Sequence, residues 1–227
     1  MKKYLLLINC FAATTICLAQ TSAQIDSLTM KMCKTLENNI NLTDSIRMQS
    51  AYRTHLPEFL EKFKIDSEEK FNEVYDRIHY RFQKNCNLAV EIFGRLDQKN
   101  SKEWKHINGK PKQIITKTQC RDITRLKKFY YIEPSKNDKT VVTIDNGIWL
   151  EEFADGTYSK LNFKWTSDCE FEIEFIDSNN ESRKNLSYKG DKYQYGIYNR
   201  KGNDFEIWVA DNDGKPVQSF WLHAIKK

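Results

Sequence analysis

The chain reads as an α+β protein: a disulfide-stapled helical bundle in front, then an antiparallel β-meander closed into a barrel or strongly curved sheet. Three observations predict this. Apolar residues recur every three or four positions as far as Leu96, and every second position in the later part of the chain. Turn-forming residues punctuate that later part at short intervals. Four cysteines follow an apolar leader, two in each half.

The leader opens with Met1-Lys2-Lys3 and continues as YLLLINCFAATTICLA, reaching small residues at Ala19 and Ala23. A short basic start, an apolar stretch and a small-residue end predict a secretory signal peptide over 1–19, with cleavage as late as residue 23. The stretch is too short and wrongly flanked for a membrane span, and no later apolar run is long enough for one. Neither Cys17, after Thr15-Ile16, nor Cys10, after Ile8-Asn9, has the small preceding residue of a lipoprotein signal. A periplasmic or secreted protein without a lipid anchor is therefore expected. Once Lys2 and Lys3 leave with the leader, 34 basic and 31 acidic residues remain, a net charge of +3. That balance argues against nucleic acid or an anionic membrane as a partner.

Residues 24–96 are expected as the helical domain. Ile25, Leu28, Met32, Leu36 and Ile40 mark the first helix, with Asp26 and Ser27 as candidate caps. Ile46, Tyr52 and Leu56 mark a second, and Pro57 opens a separate short segment, PEFLEKF, as a first-turn proline does. Asp66 and Glu69 are spaced as a capping box, and one apolar stripe then runs from Phe71 through Val74, Ile78, Phe82, Cys86 and Phe93 to Leu96. Residues 97–113 are polar, contain Gly109 and Pro111, and read as a linker.

The β domain is expected over 114–227. Leu161, Phe163 and Trp165 alternate with polar residues, as do Phe171, Ile173 and Phe175, then Tyr193, Tyr195 and Ile197, then Phe205, Ile207 and Val209. Turns fall at Asn146-Gly147, Asp155-Gly156, Ser178-Asn179-Asn180, Lys201-Gly202-Asn203 and Asp213-Gly214. Seven to nine strands so closely spaced must pair antiparallel, because parallel pairing needs long crossovers. Closure into a barrel removes the exposed edges. Of the three ways to pair Cys33, Cys86, Cys120 and Cys169, the pairing 33–86 with 120–169 keeps each bridge within its own half. An oxidising compartment favours bridges over free thiols.

Cys120, the run FKWTSDCEFEIEF with Trp165 and Cys169, and KGDKY with Gly190, Asp191 and Tyr193 resemble a domain of uncharacterised exported proteins from Bacteroidetes-type bacteria. HYRFQKNC, residues 79–86, resembles a segment of the same proteins. The resemblance implies an exported bacterial protein with a small, lipocalin-like β domain, and it implies no catalytic residue.

Motifs for chemistry are sparse. There is no CxxC for thiol redox and no HxxxH or HxH among His55, His79, His106 and His223 for a metal. GxSxG and phosphate-loop patterns are absent. Asp211 to Gly214 lacks the further acidic ligands of a calcium loop and reads as a hairpin turn. Glu151-Glu152 offers a pair of acids, whereas Glu170, Glu172 and Glu174 read as the wet face of one strand. Lys127 to Tyr131 mixes base and aromatic character, but reads as a strand with a charged edge. The sequons at Asn41, Asn180 and Asn185 carry no weight behind a bacterial leader.

Aromatic richness of the β domain is the feature with functional flavour. Trp149, Trp165, Tyr193, Tyr195 and Trp208 are the candidate ligand-binding residues, as inward-facing rings around a small apolar ligand. The competing expectation, and the favoured one, is that a small barrel fills its interior with these rings. The reading is a non-enzymatic binding protein, without metal or cofactor, whose partner is a small apolar ligand or an envelope or extracellular protein. The alternative is an exported enzyme of hydrolase type, which requires acidic or histidine groups converging in a pocket.

Overall fold

The computed structural model describes residues 21–97, 103–134, 137–211 and 213–225. The leader lies outside them, with Cys10 and Cys17. Helix α1 (Ser22–Asn38) buries Ile25, Leu28, Met32 and Leu36 along one stripe. Its cap is Thr21 rather than Asp26 or Ser27: Thr21 and Gln24 exchange side-chain and backbone bonds as a capping box. Asp26 is drawn instead into the junction with the β half, described below.

Helix α2 (Asp44–Lys62) runs through Pro57, where the sequence suggested a new segment. Pro57 and Arg53 both face solvent, so the carbonyl that loses its helical donor to the proline can turn to water. The long stripe from Phe71 to Leu96 is divided into α3 (Glu68–Asn85) and α4 (Asn87–Asp97). Ser67, not Asp66, caps α3 by accepting from the Lys70 amide. The division falls on Cys86, whose backbone is extended and whose carbonyl receives the amides of Ala89 and Val90 to start α4. Cys86 is bridged to Cys33 on α1. Periodicity could not show this break, because Ala89 and Ile92 continue the buried face beyond it.

Strand β1 (Trp104–His106) lies inside the stretch read as linker. After it, α5 (Lys117–Leu126) precedes eight strands: β2 (Lys128–Ile132), β3 (Lys139–Asp145), β4 (Ile148–Glu152), β5 (Tyr158–Trp165), β6 (Glu170–Ser178), β7 (Lys192–Lys201), β8 (Asp204–Ala210) and β9 (Pro216–Ala224). Helix α6 (Glu181–Leu186) sits between β6 and β7. Each strand pairs antiparallel with the next, and β9 returns to β2 at Phe129↔Ala224 and Tyr130↔His223, closing an eight-stranded barrel. The other part of the same β9 edge is covered by β1, with Trp104 opposite Phe220.

Alternation along the strands sends Phe129, Val142, Ile144, Trp149, Phe171, Ile197, Phe205, Ile207 and Leu222 into one buried core. The rings pack on one another across it: Phe163 and Phe171 lie 4.8 Å apart, and Tyr195 stacks on Phe171 at 5.4 Å. On the outer wall, Gly196 opposes Trp208 across the β7–β8 pair. A Cβ at Gly196 would stand 2.3 Å from that indole, so only glycine lets the ring lie flat on the wall.

The two ends of the barrel differ. One is sealed by α5, whose Cys120 and Ile123 are fully buried in the barrel core, with Cys120 bridged to Cys169 just before β6. The other, the mouth, carries α6 and faces the helical half. There Arg81 of α3 bonds both carboxylate oxygens of Asp26 on α1, at 2.7 and 2.9 Å. It also bonds Asp191 at 2.5 Å and the carbonyl of Leu186 at 2.9 Å, and lies over the Tyr188 ring. Asn87, at the start of α4, reaches Asp211 and Asp213 of the β8–β9 hairpin. That hairpin is a turn, as its sequence suggested: the Asp211 carboxylate accepts the amides of Asp213 and Lys215.

Candidate functional site

Between the helical half and the barrel mouth lies a cleft of about 1610 Å³. One wall comes from α3 and α4, including His79, Gln83 and Phe93; the other comes from β1, α6 and the strand ends at the mouth. Its size exceeds the roughly 300–1,000 Å³ of a typical small-ligand pocket, so it suits an extended ligand or a large one.

Arg183 stands where the cleft meets the barrel interior. Helix α6 starts at Asn180, whose side chain accepts the Arg183 amide. This sets the guanidinium over the mouth. One of its terminal nitrogens, Nη2, donates to Glu133 at 2.7 Å and to the hydroxyl of Tyr131 at 3.0 Å. Its Nε lies 3.7 Å from Glu151. Tyr131 lies within 3.0 Å of Glu133 and 3.2 Å of Glu151. Thr140 donates to Glu133, and the Trp149 indole donates to Glu151. Glu151 shares the inward face of β4 with Trp149, which is how a carboxylate enters the barrel.

Burial raises the Glu151 carboxyl above its ordinary value; Glu133 adds to the rise while Arg183 opposes it. Burial works against the Arg183 charge, but Tyr131, Glu133 and Glu151 outweigh it and hold the guanidinium well above its usual range. Two carboxylates thus face one guanidinium, and the cluster carries no net positive charge whether or not Glu151 is ionised. Tyr131 is likewise raised by burial and by the facing carboxylates.

The five candidate aromatics do not converge on one pocket. Trp149 and Tyr195 stack within the filled interior. Tyr193 lines the cleft, its phenol pushed up to about 12 by burial, with the Lys84 ammonium 4.2 Å from its ring centroid. Trp165 lies at the sealed end under the Arg121 guanidinium, 3.9 Å away. Trp208 lies on the outer wall over Gly196 rather than inside. The alternation itself was the overlooked signal: with Phe205 and Ile207 inward, Trp208 must face out.

The histidines divide two properties that an acid–base site would combine. His79 lines the cleft and is lowered by burial, with Asp76 opposing, but it has aromatic neighbours rather than a bonded carboxylate. His223 lies 3.1 Å from Asp204 and 3.0 Å from Glu103. Burial there opposes its charge, and the two carboxylates override it and raise the ring; it stacks on Tyr130 outside the cleft. Among the described residues no group of three or more His, Cys, Asp or Glu side chains is placed to hold a metal ion.

Glu133, Arg183 and Trp104 were not singled out by sequence reasoning. Trp104 has its ring on Phe220, 4.3 Å between centroids, and its indole N–H on the carbonyl of Ile132 at 2.6 Å. No described helix is long and apolar enough to cross a membrane, and the two disulfides fit an oxidising environment. No family model, curated protein or solved structure matches the chain.

Proposed function

We propose that this is an exported, non-enzymatic binding protein whose ligand lies in the cleft between the helical half and the barrel mouth. The observation that carries this reading is the cleft itself, walled by both halves and floored by the Arg183 cluster. A lipocalin-like use of the barrel would place the ligand among the interior rings. Those rings already satisfy one another, which favours the cleft.

Native mass spectrometry of the protein isolated from an oxidising compartment tests the reading. The expected result is a mass excess that disappears on denaturation. Gly94 of α4 lines the cleft, and a Cβ there meets nothing within 4 Å. Gly94→Trp should therefore put an indole into the cleft without disturbing the fold, and reduce the excess. A bare mass in the unaltered protein would sink ligand carriage and turn attention to an envelope or extracellular protein as partner.

A second reading, a hydrolase, is favoured by the convergence of Glu133 and Glu151, the carboxyl of Glu151 being raised by burial. Turnover of an ester or glycoside substrate that is lost in Glu151→Gln, with folding retained, would establish it. Turnover unchanged in that variant would remove it.

A further inference from the structure

The described residues lining the cleft include five lysines and arginines against six aspartates and glutamates. Several are already paired. Lys192 pairs with Glu172 within the lining at 3.0 Å, while Arg95 and Lys105 pair with Asp44 at 2.7 Å and Glu206 at 3.1 Å outside it. At the mouth, an anionic ligand would meet two carboxylates behind Arg183, and a cationic one would first meet the guanidinium. Neither sign of charge is favoured, which suits an uncharged ligand.

Three side chains on the mouth wall shape what that ligand must present. Trp104 is locked by its Phe220 stack and its bond to Ile132, and its uncovered part lines the cleft. Gln218 lies two residues before Phe220 on β9, opposite His106, half-buried and with no hydrogen-bond partner for its amide among the described residues. Arg183 spends Nη2 on Tyr131 and Glu133, and its Nη1 has no partner among the described residues. Tyr131 joins these parts, 6.1 Å from Trp104 by ring centroid and 3.0 Å from Arg183 by its hydroxyl. A purely apolar ligand would cover the Gln218 amide and the Arg183 N–H groups without satisfying them. A purely polar one would waste the indole.

We propose that this wall, Trp104 with Gln218 and Arg183, is a subsite for a sugar ring of an uncharged oligosaccharide. A sugar ring offers a C–H face to lie on an indole and hydroxyls around its edge to accept from Arg183 and to exchange bonds with Gln218. The length of the cleft leaves room for neighbouring rings. This inference rests on the cleft being the binding site.

The test is a panel of immobilised neutral, amino and acidic oligosaccharides probed with the mature chain, followed by calorimetric titration of the best neutral hexasaccharide. Neutral glycans should be retained. Gln218→Ala removes an amide without an intramolecular bond, so it should leave folding unchanged and weaken binding about fivefold, one ordinary hydrogen bond's worth. Trp104→Ala should weaken it about tenfold or more, and Gly94→Trp should weaken it as well. Retention of only charged glycans, of an extended peptide instead, or of no glycan at all would overturn the proposal, as would binding indifferent to both Gln218→Ala and Trp104→Ala. A mass excess displaced by Gly94→Trp but containing no sugar would overturn the sugar assignment and leave the cleft reading standing.

Discussion

The two ends of the barrel are closed by different physics. At the sealed end, α5 inserts Cys120 and Ile123 into the apolar core and a disulfide fixes it to the start of β6. At the mouth, α6 inserts a guanidinium, and the closure is a set of charged and hydroxyl groups bonded to one another beneath a cleft. Apolar packing and a covalent link are indifferent to pH and to what lies outside. A polar closure depends on protonation and can exchange its partners with a ligand. One end is held by packing and a covalent bond, the other by bonded charged and hydroxyl groups.

Opening the sealed end should produce the largest effect. Replacing both Cys120 and Cys169 by serine removes a link across a sequence separation of 49 residues. Loop-closure entropy puts the loss at about 4 kcal/mol, to be read from urea unfolding of variant and parent. A loss below about 1 kcal/mol would show that the apolar packing of α5 seals this end without the bridge.

At the mouth, Arg183→Ala leaves Glu133 and Glu151 facing each other without their cation. The loss should be about 2 kcal/mol, less than for a fully buried pair because 27% of the arginine side chain stays exposed. Glu151→Gln placed in the same chain should recover part of it; no recovery would mean that the arginine acts by packing alone.

The pH response should come from the mouth too. Because burial raises the Glu151 carboxyl in the folded protein, the native state holds that proton more tightly than the unfolded chain. The associated stability is complete below the ordinary glutamate value of 4.5 and is lost as pH rises through the raised native value. Unfolding free energies of Glu151→Gln should lack this fall, and a parallel pair of pH profiles would refute it.

The smallest effect belongs to His223, on the outer wall beside the sealed end. Its raised ring contributes stability that is complete below its ordinary value of 6.5 and disappears as pH rises through the native value. With Asp204 and Glu103 partly exposed, His223→Gln should cost about 0.5 kcal/mol at pH 5.5 and less at pH 8.5. An equal cost at both would assign the residue to ring stacking on Tyr130 instead.

What was legible in the sequence follows the same division. The strand alternation and the cysteine placement foretold the barrel, the bundle and both disulfides, because a buried face and a covalent bridge leave periodic or paired marks. The Thr116–Gln119 capping box was a readable sign of α5 that went unused. Glu151 was visible too, two residues after Trp149 on a strand whose inward face that tryptophan defines. Arg183 was not, since α6 is six residues long and its reach into the mouth depends on where β2 and β4 end. Trp104 belongs to a strand of three residues in a charged stretch, too short for any period to appear. The site assembles from strand ends and connections, and these are the parts that periodicity does not describe.

Arg81 carries a consequence for the order in which the protein can be completed. It is 3% exposed, and its first partner, Asp26, precedes it in the chain. The second, Asp191, arrives 110 residues later. A helical half that has folded before the barrel therefore holds this guanidinium against Asp26 alone, without the Leu186 carbonyl, the Tyr188 ring and the Asp191 carboxylate that cover it in the complete fold. Docking of the loop after α6 supplies that cover, so the burial of this arginine is completed only when the two halves meet.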